Sequence, residues 1–171
     1  MQEMKEDLFE CIFDPDVDAI CITTNGNYSK QGIAFMGGGC AGEAARRWSS
    51  MPIRLGKMLR IFMSNIPYVI GVVNEDGDAL ELTKELIDQR QFKCLVFSFP
   101  TINNLVDGSN LELIKQSATI MMDYANQYNL KKIVCPRPGV GIGGLSWKDV
   151  KPAIADILDD RFVIVSFDHE E

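Results

Sequence analysis

Gly37, Gly39 and Gly42 spell G-x-G-x-x-G, and Gly139, Gly141 and Gly144 spell it again about a hundred residues later. Glycine at this density permits positive φ and lets the backbone approach a ligand closely, so each stretch is a candidate cradle for phosphate oxygens. The two stretches share one grammar. Over 18–48 and over 132–150 an apolar run leads into a glycine-rich loop and then into the first turn of a helix. Unpaired N–H groups collect at a helix amino terminus, and open α/β sheets bind ligands where strand carboxyl ends hand over to helices. The two loops are therefore expected to face each other, with an anion carrying two phosphates as the natural guest.

Other chemistries fit less well. A dinucleotide-binding turn needs its first glycine directly after the strand, whereas residues 25–36 separate Thr24 from Gly37. The second loop follows Cys135 closely, but neither loop ends in the G-K-[ST] of a P-loop, so NTP hydrolysis is not expected. The single histidine, His169, sits among acids two residues before Glu171, which removes most Ser-His, Cys-His and His-metal arrangements. The five cysteines are scattered and form no CxxC pair, so no disulfide or zinc framework, no metal and no cofactor is expected. A net charge of −7 and a pI near 4.8 speak against a nucleic-acid or anionic-membrane partner.

The elements that must position the loops follow from pattern. A chain of 171 residues buries roughly 70% of its unfolded surface and is read as one domain, 1–171. Its 46% hydrophobic and 24% charged fractions are those of a globular protein. No apolar run reaches a membrane span, and the start MQEMKEDLFE is acidic where a secretory signal would be basic and then apolar; a cytoplasmic location is expected. Strands are predicted over 8–13, 18–24, 68–73, 92–99, 132–135 and 161–167, with Pro100 ending the pairing of the fourth. Helices are predicted over 34–48, from Pro52 onward with Ile53, Leu55, Met58, Leu59 and Phe62 on one buried face, over 109–128 capped by Ser109, and over 147–158 capped by Ser146. Residues 79–89 read as a helix or as a strand pair. This order describes a three-layer α/β/α sandwich around a central mixed sheet. Arg46, Arg47, Arg54, Lys57 and Arg60 form a basic patch, either a solvated helix face or an anchor for an acidic ligand edge.

The sequence DAICITTNG, then MGGGCAGEAARRW, then VCPRPGVGIGGLSWKDVKPAI and a final FVIVSF resembles the macrodomain, the ADP-ribose-binding module, from Asp7 to Phe167. The resemblance implies a ligand of ADP-ribose or a derivative, such as an ADP-ribosylated protein or an ADP-ribose-based signal nucleotide. It implies that Asp7, with Leu8 beside it, reads the adenine amino group, although Glu6 stands in the place of the family's glycine. It sets Asn25 at the distal ribose, where its amide can donate to and accept from a diol. The first loop, with Gly37, Gly38, Gly39 and Cys40, would line the distal ribose and phosphate. The second, with Pro138, Gly139, Val140, Gly141, Ile142 and Gly143, would cradle the diphosphate through backbone N–H groups. Phe167 corresponds to a residue against the adenosine, or is an ordinary core phenylalanine.

The departures bear on catalysis. Where the commonest de-ADP-ribosylating macrodomains place an Asp, this chain has Ala41. Where another type uses a Lys and an Asp, it has Ile102 and Gly143. The resemblance thus implies a binder, with a hydrolase acting at the distal ribose (an ADP-ribosyl hydrolase or an ADP-ribose 1''-phosphate phosphatase) as the alternative. Two candidates would serve that alternative: Asn25 orienting a water, and Glu43 as a base or simply as a charge complementing the helix dipole. Cys40 beside a helix amino terminus is either a thiol of lowered pKa or a packed small residue.

Overall fold

A computed structural model describes residues 1–166. Among them, six strands form one sheet: β1 (Gln2–Lys5), β2 (Ala19–Asn25), β3 (Val69–Val73), β4 (Cys94–Ile102), β5 (Ile133–Pro136) and β6 (Phe162–Ser166), in the order β1-β6-β5-β2-β4-β3. All neighbours run parallel except β3, which is antiparallel to β4, so the sheet is mixed as the pattern implied. The helices are α1 (Gly39–Arg47), α2 (Ser50–Phe62), α3 (Lys84–Asp88), α4 (Leu111–Gln127) and α5 (Trp147–Ala155).

The alternation in β2 shows why the domain has three layers. Ile20 and Ile22 point into one core with Ala41 and Ala44 of α1 and Met51, Leu55 and Leu59 of α2. Ala19 and Cys21 point into the other, with Ile114, Ala118 and Met121 of α4 and Val150 and Ile154 of α5. A strand buried on both faces must be apolar throughout, which is what AICI provides. Between β2 and β5 the connections diverge: after β2 the chain leaves toward β3 and β4, and after β5 toward β6. The carboxyl ends of β2 and β5 therefore flank a topological switch point, where such sheets open a crevice.

Several expectations are corrected. Residues 8–13 are a turn and a 3₁₀ helix (Glu10–Phe13), and the edge strand is β1 before them. The Asp7 carboxylate accepts the Phe9 N–H at 2.8 Å and turns the chain, which buries Leu8, Phe9, Cys11 and Ile12 together as no alternating strand can. All four residues of β1 are exposed and leave no apolar signal; its register comes from the backbone, Gln2 opposite Val163 to Lys5 opposite Ser166. The helix expected from residue 34 begins at Gly39, because the Ala34 N–H is drawn to the Pro52 carbonyl at 2.9 Å. On α2 the buried stripe is Met51, Leu55 and Leu59, while Ile53 and Phe62 are more than half exposed.

Pro100 does not end pairing. It lies opposite Thr24 of β2, and on its other side β3 has already finished, so its missing N–H breaks no ladder there. The cap of α4 is Asn110, whose side chain accepts the Leu113 N–H at 3.0 Å, in place of Ser109. Within 79–89 only α3 is helical, capped by Thr83. Ser146 caps α5 as expected, accepting the Asp149 N–H at 3.2 Å and donating to the Asp149 carboxylate at 2.8 Å.

Candidate functional site

The cleft lies at the carboxyl ends of β2 and β5. Asn25 closes β2 and holds the following loop shut: its Nδ2 donates to the Phe35 carbonyl at 2.8 Å and its Oδ1 accepts the Asn27 N–H at 2.9 Å. The Phe35 N–H returns to the Asn27 carbonyl at 3.0 Å. The loop also lies hard against α2, since a Cβ on Gly56 would overlap the Gly32 carbonyl oxygen. The glycine run then reaches α1, whose amino cap Gly38 is extended.

The second loop leaves β5 through Pro136 and turns at Gly139, Gly141 and Gly144, which have φ of 74°, 79° and 82°. These values lie in the left-handed region that glycine enters without steric cost. Gly139 is also pressed against α4, where a Cβ would come within 2.7 Å of Ile114 Cδ1. The Leu145 N–H closes the loop onto the Gly139 carbonyl at 3.0 Å.

The two loops do face each other. A Cβ on Gly38 would lie 3.2 Å from Ile142 Cδ1 of the opposite loop. Two cavities open on either side of this contact, of about 650 Å³ and about 580 Å³. Asn25, Gly37, Gly38, Ile142 and Gly143 line the larger, and Asp7, Leu8, Glu43 and Gly141 line the smaller. Gly39, Cys40, Val140, Pro136 and Arg137 line both and form a waist between them.

Of the residues expected at the site, all but Pro138 and Phe167 line one or both cavities. Gly139 lines only the larger cavity. Pro138 is buried and lines neither. Glu43 lies in the Asp7 cavity, away from Asn25. Phe167 and His169 lie outside the described residues.

The cavities differ in charge. Among the described residues that line the Asn25 cavity, Arg137 alone is charged; Phe35, Met36, Ile102, Leu105 and Ile142 make much of its wall. Thr24, 5% exposed, presents a buried hydroxyl with no partner among the described residues. The Asp7 cavity carries Glu6, Asp7 and Glu43 against Arg46, Arg47 and Arg137. Of the basic patch, Arg46 and Arg47 reach this cavity, and Arg54, Lys57 and Arg60 reach neither.

Side-chain states follow from these contacts. Hydrogen bonds from Arg46 at 2.9 Å and Arg47 at 2.8 Å hold the Glu43 carboxyl below the usual carboxylate range, which makes it a weak base. Burial pushes the Cys40 thiol up, although its Sγ lies 3.1 Å from the Thr23 hydroxyl. Cys40 is accordingly a packed thiol and not an activated one. Asp7 spends Oδ1 on the Phe9 N–H and directs its carboxylate to the second cavity.

Sequence reasoning gave the loops to backbone amides and missed Arg137. Its guanidinium lies over the Trp147 ring, 5.2 Å from the centroid, and 3.9 Å from the Glu3 carboxylate. The only local signal was an arginine between two prolines at a strand end.

A sheet opening at its switch point, with two glycine loops across the crevice, defines an α/β/α domain with a two-part cleft. Comparison with solved structures makes the class specific. The macrodomain of Mycobacterium tuberculosis DarG is 22% identical over 96% of this chain and 95% of that one, with a TM-score of 0.67. Thermosipho africanus DarTG in complex with ADP-ribose is 17% identical with a TM-score of 0.69, over 95% of this chain and 40% of that longer one. A macrodomain protein from Streptomyces coelicolor is 17% identical over 99% of both chains, with a TM-score of 0.57. The chain has the macrodomain fold. No protein-family model and no curated protein sequence matches it.

Proposed function

We propose that this protein binds ADP-ribose, or a derivative carrying a group on the distal ribose, across the waist between the two glycine loops. The observation that carries the reading is the bipartite cleft. A nucleoside on one side, a sugar on the other and a diphosphate between them is the ligand shape that two cavities joined by glycine backbone select. Adenosine belongs in the Asp7 cavity, where the free oxygen of Asp7 accepts an amino group. The distal ribose belongs in the Asn25 cavity. Asn25 spends half its amide on its own loop and keeps the other half for the sugar. The structural neighbour from Thermosipho africanus, described in complex with ADP-ribose, supports the same ligand class.

Titration calorimetry with ADP-ribose, ADP and AMP tests the reading. Binding that strengthens from AMP through ADP to ADP-ribose is expected, because each step adds a group that one more part of the cleft receives. Equal affinity for all three, or none, would sink it. Hydrolysis at the distal ribose is the competing activity. The described lining of the Asn25 cavity offers no carboxylate, imidazole or ammonium group to move a proton, which favours binding. Turnover of ADP-ribosylated protein or of ADP-ribose 1''-phosphate, abolished in Asn25→Ala, would replace the binder with the hydrolase.

A further inference from the structure

We infer that Arg137 is the cationic clamp of the waist, holding the ligand's diphosphate by charge as the glycine loops hold it by shape. The inference rests on the reading above and names a residue that the glycine motifs do not predict. Arg137 is the one ionised side chain shared by both cavities among the described residues. A diphosphate spanning the waist has to pass it.

Its orientation is built. The Trp147 ring lies under the guanidinium at 5.2 Å, and the Glu3 carboxylate stands 3.9 Å from a terminal nitrogen. Glu3 is itself fixed by the Trp147 indole N–H at 2.8 Å and by Lys151. The hydrogen bond from Lys151 keeps the Glu3 carboxyl below the usual range, so this support stays charged. The Arg137 side chain is only 22% exposed. A guanidinium stacked on a ring and tethered at one end keeps its remaining donors for a phosphate, in the planar fork that phosphate oxygens match. The end of β5, the start of α5 and, more than 130 residues away in sequence, β1 converge to hold one charge at the cleft. Trp147 and Glu3 are positioning residues; Arg137 is the contact.

The test measures ADP-ribose and adenosine affinities by calorimetry at about 0.05 M and about 0.5 M salt, where screening separates charge from shape. Wild-type protein is expected to lose ADP-ribose affinity as salt rises. Arg137→Gln should bind ADP-ribose about tenfold more weakly at low salt, a change of about 1.4 kcal/mol, with a flatter salt dependence and unchanged adenosine affinity. Arg137→Lys should recover the salt dependence and only part of the affinity. Trp147→Leu should weaken ADP-ribose binding less than Arg137→Gln, and Trp147→Phe, which keeps a ring under the guanidinium but loses the N–H to Glu3, should recover part of the loss. If Arg137→Gln binds ADP-ribose within twofold of wild type and keeps its salt dependence, the clamp is overturned while the ligand assignment stands. If wild-type protein does not bind ADP-ribose, both fall.

Discussion

The two halves of the cleft are built by opposite means. The Asp7 cavity carries ions that hold one another: Glu43 is bracketed by Arg46 and Arg47, and Arg47 lies over the Phe9 ring at 4.7 Å. The Asn25 cavity is made of backbone, hydroxyls and apolar side chains, and its one ion stands at the waist. Fixed charges favour a ligand end with a set pattern of donors and acceptors, whereas an uncharged wall with a wide volume tolerates variation. On the reading proposed above, adenosine is the constant end of the ligand and whatever varies is carried on the distal ribose.

Substitutions can break or sharpen this contrast. The largest effect is expected from Gly37→Trp. No atom lies within 4 Å of a Cβ built at Gly37, so the indole occupies the Asn25 cavity at little cost to the fold. ADP-ribose affinity should fall about a hundredfold or more, about 2.7 kcal/mol, while adenosine affinity measured alongside stays constant. Equal losses for both ligands would mean that the cavities are not separate.

Gly141→Glu comes next. It sets a carboxylate beside the waist, and repulsion with a diphosphate should weaken ADP-ribose by about tenfold to a hundredfold. Adenosine should lose less in the same titration. The positive φ of 79° at this position adds a strain of about 1 kcal/mol that a thermal melt will register separately.

Asp7→Asn should act only at the constant end. Asparagine still accepts the Phe9 N–H but turns a donor toward the adenine amino group, at a cost of about 1–3 kcal/mol. Competition between AMP and IMP should show the preference for AMP shrinking. An unchanged preference would remove Asp7 from the recognition of adenine.

The smallest effect belongs to Ser146→Ala, behind the waist. Loss of the α5 cap should lower stability in urea by about 1 kcal/mol. ADP-ribose affinity should hold; if it falls, the seat of Trp147 and the waist are one unit.

The interior of the sheet is legible in the sequence because β2, β4, β5 and β6, like β3 at one edge, are apolar on both faces. The glycine loops are legible because their residue type is itself the requirement. β1 is not, since four exposed residues find their place only by pairing with a strand more than 150 residues away. The Asp7 turn misleads for a related reason: a short apolar stretch reads as a strand until one carboxylate accepts the N–H two residues on. Arg137 is illegible because nothing in PRPG shows that Glu3 and Trp147 will meet there. The charge of the loop residues reads off directly, but which of the basic patch reaches the cleft depends on the turn of α1.

The contact between Gly56 and Gly32 gives α2 an influence beyond packing. The segment that ends in Phe35 and lines the Asn25 cavity is seated on that helix at Gly32, so a change on α2 reaches the cavity from outside it. A larger residue at position 56 would act as a wedge. Selection for a bulkier or slimmer ligand could then work through α2 and leave every residue that lines the cleft unchanged.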